Sequence, residues 1–182
     1  MEIIAINSIK GKDLVIITPV LIAVNVLVYF LTLDPLSHIK YGLNVYFFEG
    51  AWWQPLTSMF MHASLSHLAM NMVVLFQFGY LLEKELNAHI RYLLIYLGGG
   101  IVTSLLTIYF MNMFGLDHNV VGASGAISVL FGWFAKRDPH LRKGLIVSIL
   151  IISFIPFLMG VPVAWYAHLI GFGLGYLLGF VL

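Results

Sequence analysis

Two side chains of the types that serve as nucleophile and base stand where a chain this apolar should tolerate neither. Ser124 lies in Val-Gly-Ala-Ser-Gly at the start of one hydrophobic segment, and His168 in Tyr-Ala-His-Leu-Ile-Gly near the start of another. Polar residues inside membrane segments are costly and face a cavity or a partner, so they are site candidates by default. His67 and Asn71 join them. They are four residues apart in a third hydrophobic segment and so share one helical face.

The elements that position these residues follow from composition and hydropathy. A soluble domain carries about a quarter charged residues; this chain of 182 residues carries 9%, with 61% hydrophobic residues and mean hydropathy +0.98. It reads as an all-α, multi-pass integral membrane protein, with residues 1–182 forming a single domain. The net charge of +1 and the lack of long charged runs point away from nucleic acid. With no cysteine, disulfides, thiolate metal sites and cysteine nucleophiles are excluded together. No metal, nucleotide or other cofactor is implied. Met1–Asp13 lacks a small-residue cleavage site, so the first apolar stretch is read as a retained span.

Apolar segments fall at about Leu14–Leu33, Ser64–Leu82, Ile90–Met111, Ser124–Ala135, Gly144–Gly160 and Trp165–Leu182. Most approach the roughly 20 residues that cross a hydrocarbon core, and the runs are too continuous for a barrel. Six helices is the economical count. Lys10, Lys12, Lys84, Arg91, Lys136, Arg137, Arg142 and Lys143 then all fall on one side and only Lys40 on the other. The positive-inside rule puts that side, with both termini, in the cytoplasm. On the outer side, the long connection from Asp34 to about Ala63 carries Tyr41, Tyr46, Phe47, Phe48, Trp52 and Trp53, which suits a segment lying in the interface.

In this orientation the second, fourth and sixth helices all run inward from the outer side. His67 and Asn71, Ser124 and His168 therefore share the outer half of the membrane. The fourth helix, Ser124–Ala135, rises only about 18 Å against a hydrocarbon thickness of about 30 Å. With Lys136-Arg137 at the inner surface, its N-terminus is submerged, and Asn119–Gly122 must dip inward as irregular backbone. Such backbone is allowed only where protein covers it or it lines a watery cavity. Gly122 just before the fourth helix, Gly125 and Gly132 on it, and Gly171, Gly175 and Gly179 on the sixth, permit close helix approach. Gly175 and Gly179 are read as packing residues. Gly125 and Gly171 adjoin the candidate site, and contact there brings Ser124 within reach of His168.

The chain resembles the rhomboid intramembrane serine proteases across nearly its whole length, in their minimal six-helix form. The motifs that carry the resemblance are His62-x4-His67-x3-Asn71, Gly122-Ala123-Ser124-Gly125 and Ala167-His168-x2-Gly171-x3-Gly175, with Glu83 twelve residues after Asn71. It implies hydrolysis of peptide bonds in transmembrane protein substrates within the lipid bilayer. Ser124 would be the nucleophile and His168 the general base. The Ser124 N–H, His67 and the Asn71 amide would meet the oxyanion, and His62 would support the cavity or the long loop. The resemblance leaves the oligomeric state and the physiological substrate open. The chain's small size and lack of appended domains lead us to expect a prokaryotic cytoplasmic membrane.

Two residues depart from the family pattern. Trp53-Gln54 replaces a common Trp-Arg, which puts the hydrogen bonds within the outer loop in question. Ser128 replaces an aromatic residue that in many relatives stacks on the catalytic imidazole; here Ser128 or a water is expected to brace His168. Two other readings compete: a non-catalytic rhomboid-like protein that binds transmembrane helices, and a small transporter using His62, His67 and His168 for a metal. The first is disfavoured because serine, histidine and Asn71 are all kept, the second because no acidic partner lies at matching depth.

Overall fold

A computed structural model describes residues 15–86 and 88–182; the expectations for Met1–Asp13, including Lys10 and Lys12, lie outside the described residues. Among these residues are six helices of at least 14 residues: α1 (Ile17–Leu31), α2 (Leu65–Leu86), α3 (His89–Met113), α4 (Ser124–Arg137), α5 (Pro139–Leu158) and α6 (Trp165–Leu178). No strand occurs among the described residues. One isolated antiparallel bridge joins Leu43 and Val120. The helices α2, α3 and α5 are long and apolar enough to cross a membrane, at 22, 25 and 20 residues.

The helix ends follow capping chemistry more closely than hydropathy. α5 begins five residues before the apolar run at Gly144, because Asp138 accepts from His140 N at 2.8 Å and Pro139 occupies the first helical position. Ser64 caps α2 by accepting from His67 N at 3.1 Å. α1 has no local side-chain cap, and its cap comes from α2. The Glu83 carboxylate accepts from Ile16 N and Ile17 N at 2.8 Å, Thr18 N at 2.9 Å and Thr18 Oγ1 at 2.8 Å. A buried anion at the positive end of a helix satisfies the orphan donors and the dipole together. Glu83, seen in the sequence only as a position shared with relatives, thus ties the first two long helices.

The centre of the molecule is α4. It packs against α2, α3, α5 and α6, and its residues from Ala126 to Ala135 are all buried. Its tightest partner is α6, and the glycines explain why. A Cβ on Gly132 would run into the Phe172 carbonyl, and one on Gly175 into the Val129 carbonyl. A Cβ on Gly171 would reach the Gly125 carbonyl, and one on Gly179 would lie 2.7 Å from Lys136 Cβ. The small-residue stripes read from the sequence are therefore a seam in which backbone lies against backbone.

Candidate active site

The connection between α1 and α2 folds as short helical turns, at Pro35–Tyr41, Val45–Glu49, Gln54–Thr57 and Ser58–Phe60. It is stitched to the segment before α4. Leu43 and Val120 exchange two backbone hydrogen bonds of 2.9 Å, and Asn44 Nδ2 donates to Asn119 Oδ1 at 3.0 Å. Gln54, fully buried, answers the question raised by the missing arginine. Its amide donates to Asn44 Oδ1 at 3.1 Å and to Ile39 O at 3.4 Å, and its carbonyl accepts from Asn44 N at 3.2 Å. The loop hydrogen bonds are replaced, not lost. Trp52 and Trp53 remain exposed on its surface.

That stitched segment delivers Gly122. Its N–H donates to Ser58 O at 2.9 Å and its φ is +127°, a conformation in which only glycine is unstrained. The point that a Cβ would occupy lies 3.0 Å from His67 Nε2 and 3.7 Å from Ser124 Oγ. Glycine therefore leaves open a small space between the two side chains.

Three helices supply the side chains around this space. Ser124 is the first residue of α4, and His168 lies one turn into α6, 8% exposed. His168 Nε2 is 3.0 Å from Ser124 Oγ. The first turn of α6 is held by Tyr166, whose ring stacks on Phe110 at 5.0 Å and whose hydroxyl lies 2.9 Å from His118 Nδ1. From α2 come His67 and Asn71. The Asn71 amide donates to His67 O at 2.9 Å, which uses one of its two N–H groups. His62, just before α2, is buried, with its ring edge-to-face on His67 at 5.1 Å and Nδ1 3.3 Å from Phe60 O.

The structure thus gathers Ser124, His168, His67 and Gly122 at one place, with Asn71 and His62 joined to His67. Gly125 contributes its carbonyl to the seam opposite Gly171, directly below the Ser124–His168 contact. Ser128 is placed otherwise than expected. Its hydroxyl donates to Ser124 O at 2.7 Å, one turn back on its own helix, as serines in apolar helices do. The group beside His168 Nδ1 is Ser153 Oγ of α5, at 3.2 Å. Ser153 escaped the sequence reading, although it continues at four-residue steps the buried face of Leu145 and Ile149. That stripe is the signal that could have found it.

Comparison with known proteins shows the family. A family model described as Rhomboid domain matches residues 49–182, which include every side chain of the site. YdcA of Bacillus subtilis is 32% identical over 147 residues, covering 77% of this chain and 72% of its own length. RHOMBOID-like protein 7 of Arabidopsis thaliana is 33% identical over 83% of this chain, which spans 49% of that protein. The rhomboid protease GluP of Bacillus subtilis is 33% identical over 57% of this chain, which spans 21% of that longer protein. The apolar helices, the glycine seam and the matched region from Glu49 to Leu182 have one common explanation: the chain belongs to the rhomboid family.

Proposed function

We propose that this chain is an intramembrane serine endopeptidase working through a Ser124–His168 dyad. The observation that carries the reading is the 3.0 Å approach of Ser124 Oγ to His168 Nε2 across the seam between α4 and α6. A hydroxyl so placed can attack a substrate carbonyl carbon as its proton passes to Nε2. The new oxyanion accepts from the Ser124 backbone N–H at the start of α4, where the helix leaves its donors unpaired. His67 and the second Asn71 N–H supply the side-chain donors, and the space left by Gly122 is where the anion sits. Collapse expels the amine, which takes the proton from Nε2. A water activated by the same nitrogen then hydrolyses the acyl-enzyme.

All six helices belong to the membrane domain in this proposal. The basic ends of α4 and α5 face the cytoplasm, as do the chain's termini, and the site opens to the other side. At 14 residues, α4 rises about 21 Å, short of a hydrocarbon core of about 30 Å, so Ser124 lies below the outer surface. A substrate helix has its peptide bonds internally satisfied and must unwind locally before attack. The substrates are therefore transmembrane proteins with small or helix-breaking residues near the outer end of the span.

The test is cleavage of a model transmembrane substrate in proteoliposomes by wild type, Ser124→Ala, His168→Ala and Asn71→Ala. The first two variants are expected to lose roughly 10⁴-fold or more, and Asn71→Ala roughly 10²-fold. Cleavage by wild type that survives Ser124→Ala would refute the dyad. Folded wild type that binds the substrate without cutting it would favour a helix-binding role.

A further inference from the structure

Resting on the dyad reading, we propose that Ser153 of α5 is a positioning residue for His168. Its hydroxyl accepts from Nδ1–H and so presents the Nε2 lone pair to Ser124. Nε2 can take a proton only while the ring's other nitrogen carries its hydrogen. Which tautomer a histidine adopts is set by the partner at the nitrogen away from the reaction. Here that partner is Ser153 Oγ at 3.2 Å, while Nε2 faces Ser124 Oγ at 3.0 Å. The contact is closed to solvent, with Ser153 0% exposed and His168 8% exposed. Ser128, also buried, gives its hydroxyl to its own helix, to Ser124 O. Ser153 instead ends the Leu145–Ile149–Ser153 stripe at the height of His168.

The source of this hydroxyl matters as much as its position. Of the three long apolar helices, α5 is the least embedded in protein: 17% of its most apolar stretch is buried, against 33% for α2 and 39% for α3. Three residues beyond Ser153, Pro156 has no N–H to give the Ile152 carbonyl, which removes one rung of the helix. Beside the hydroxyl, Phe154 packs on Trp165 with ring centroids 5.6 Å apart, so an aromatic pair and a hydroxyl both join α5 to α6 at this level. Seating α5 on α6 and setting the histidine's tautomer are therefore one event.

The experiment compares Ser153→Thr with Ser153→Val in proteoliposomes and reads the His168 ring by ¹⁵N NMR of histidine-labelled protein, with His168→Ala assigning the signal. Threonine and valine have the same shape and differ by the hydroxyl alone. We expect wild type and Ser153→Thr to show the Nδ1–H tautomer at pH above the ring's titration. Ser153→Val should show a mixture, with kcat lower by about 5–10-fold and KM unchanged. An Nε2–H tautomer in wild type, or equal spectra and rates for threonine and valine, would overturn the proposal. The NMR result stands without activity. Wild type that shows the Nδ1–H tautomer yet cleaves nothing would refute the protease reading and leave the Ser153 contact intact.

Discussion

The seam between α4 and α6 and the face of α5 that closes over it hold the same histidine by opposite means. On the seam, glycines at 132, 171 and 175 bring backbone against backbone, and a single added methyl would strike a main-chain atom. On α5, much of the surface is exposed, including Ile151, Ile155 and Phe157, and the link to the site is one hydroxyl. Main-chain contacts cannot yield without moving a helix, whereas a serine hydroxyl can let go and return. The distance between Ser124 and His168 is thus built into the least deformable part of the molecule. The orientation of the imidazole is entrusted to a single hydroxyl on the long helix least embedded in protein.

Substitutions should separate these two regions. The largest effect is expected for Gly171→Val, which would push α6 off the Gly125 carbonyl and Ser128 Cβ directly below the dyad. Cleavage in proteoliposomes should fall by at least roughly 10²-fold, the cost of a misplacement of about 1 Å. Next is Gly175→Ala, farther along the seam, where the methyl meets the Val129 carbonyl. It should cost about 1–3 kcal/mol of stability, read as a lowered unfolding midpoint in detergent. Ser128→Ala removes a hydroxyl bonded to its own helix. Its cleavage rate should stay within about 3-fold of wild type, since one neutral hydrogen bond contributes about 1 kcal/mol or less. Smallest of all, Phe157→Ala on the exposed face of α5, with the side chain 52% exposed, should change the unfolding midpoint by less than about 0.5 kcal/mol equivalent. A destabilisation by Phe157→Ala as large as that by Gly175→Ala would erase the contrast between the two regions.

Much of this arrangement could be read from residue order. The spacing of His62, His67 and Asn71, the glycines of the fourth and sixth helices, and the position of Ser124 at the head of a short apolar run are local patterns, and each is where the structure needs it. What escaped depends on contacts between distant residues or on chemistry that hydropathy does not register. Hydropathy dates α5 from Gly144, but the Asp138 cap and Pro139 start it earlier with charged residues in its first turns. The role of Gln54 stays open in the sequence because its three hydrogen bonds go to Ile39 and Asn44, set beside it only by the fold of the loop. The resemblance gives the bracing role to Ser128 or a water because Ser128, one turn from Ser124, stands where many relatives carry an aromatic residue. That same nearness on one helix gave its hydroxyl a closer acceptor, the Ser124 carbonyl. Ser153 meets His168 across a turn between two helices; the stripe it continues marks it as buried but does not name the residue it meets.

The central claim is that the seam makes Ser124 a nucleophile activated by His168. The most direct measurement is mass spectrometry of protein treated in liposomes with a serine-reactive phosphonofluoridate. Wild type should gain one covalent adduct, on Ser124, and His168→Ala should label at least roughly 10²-fold more slowly while remaining folded. Labelling of His168→Ala at the wild-type rate, or an adduct on a serine other than Ser124, would contradict the account.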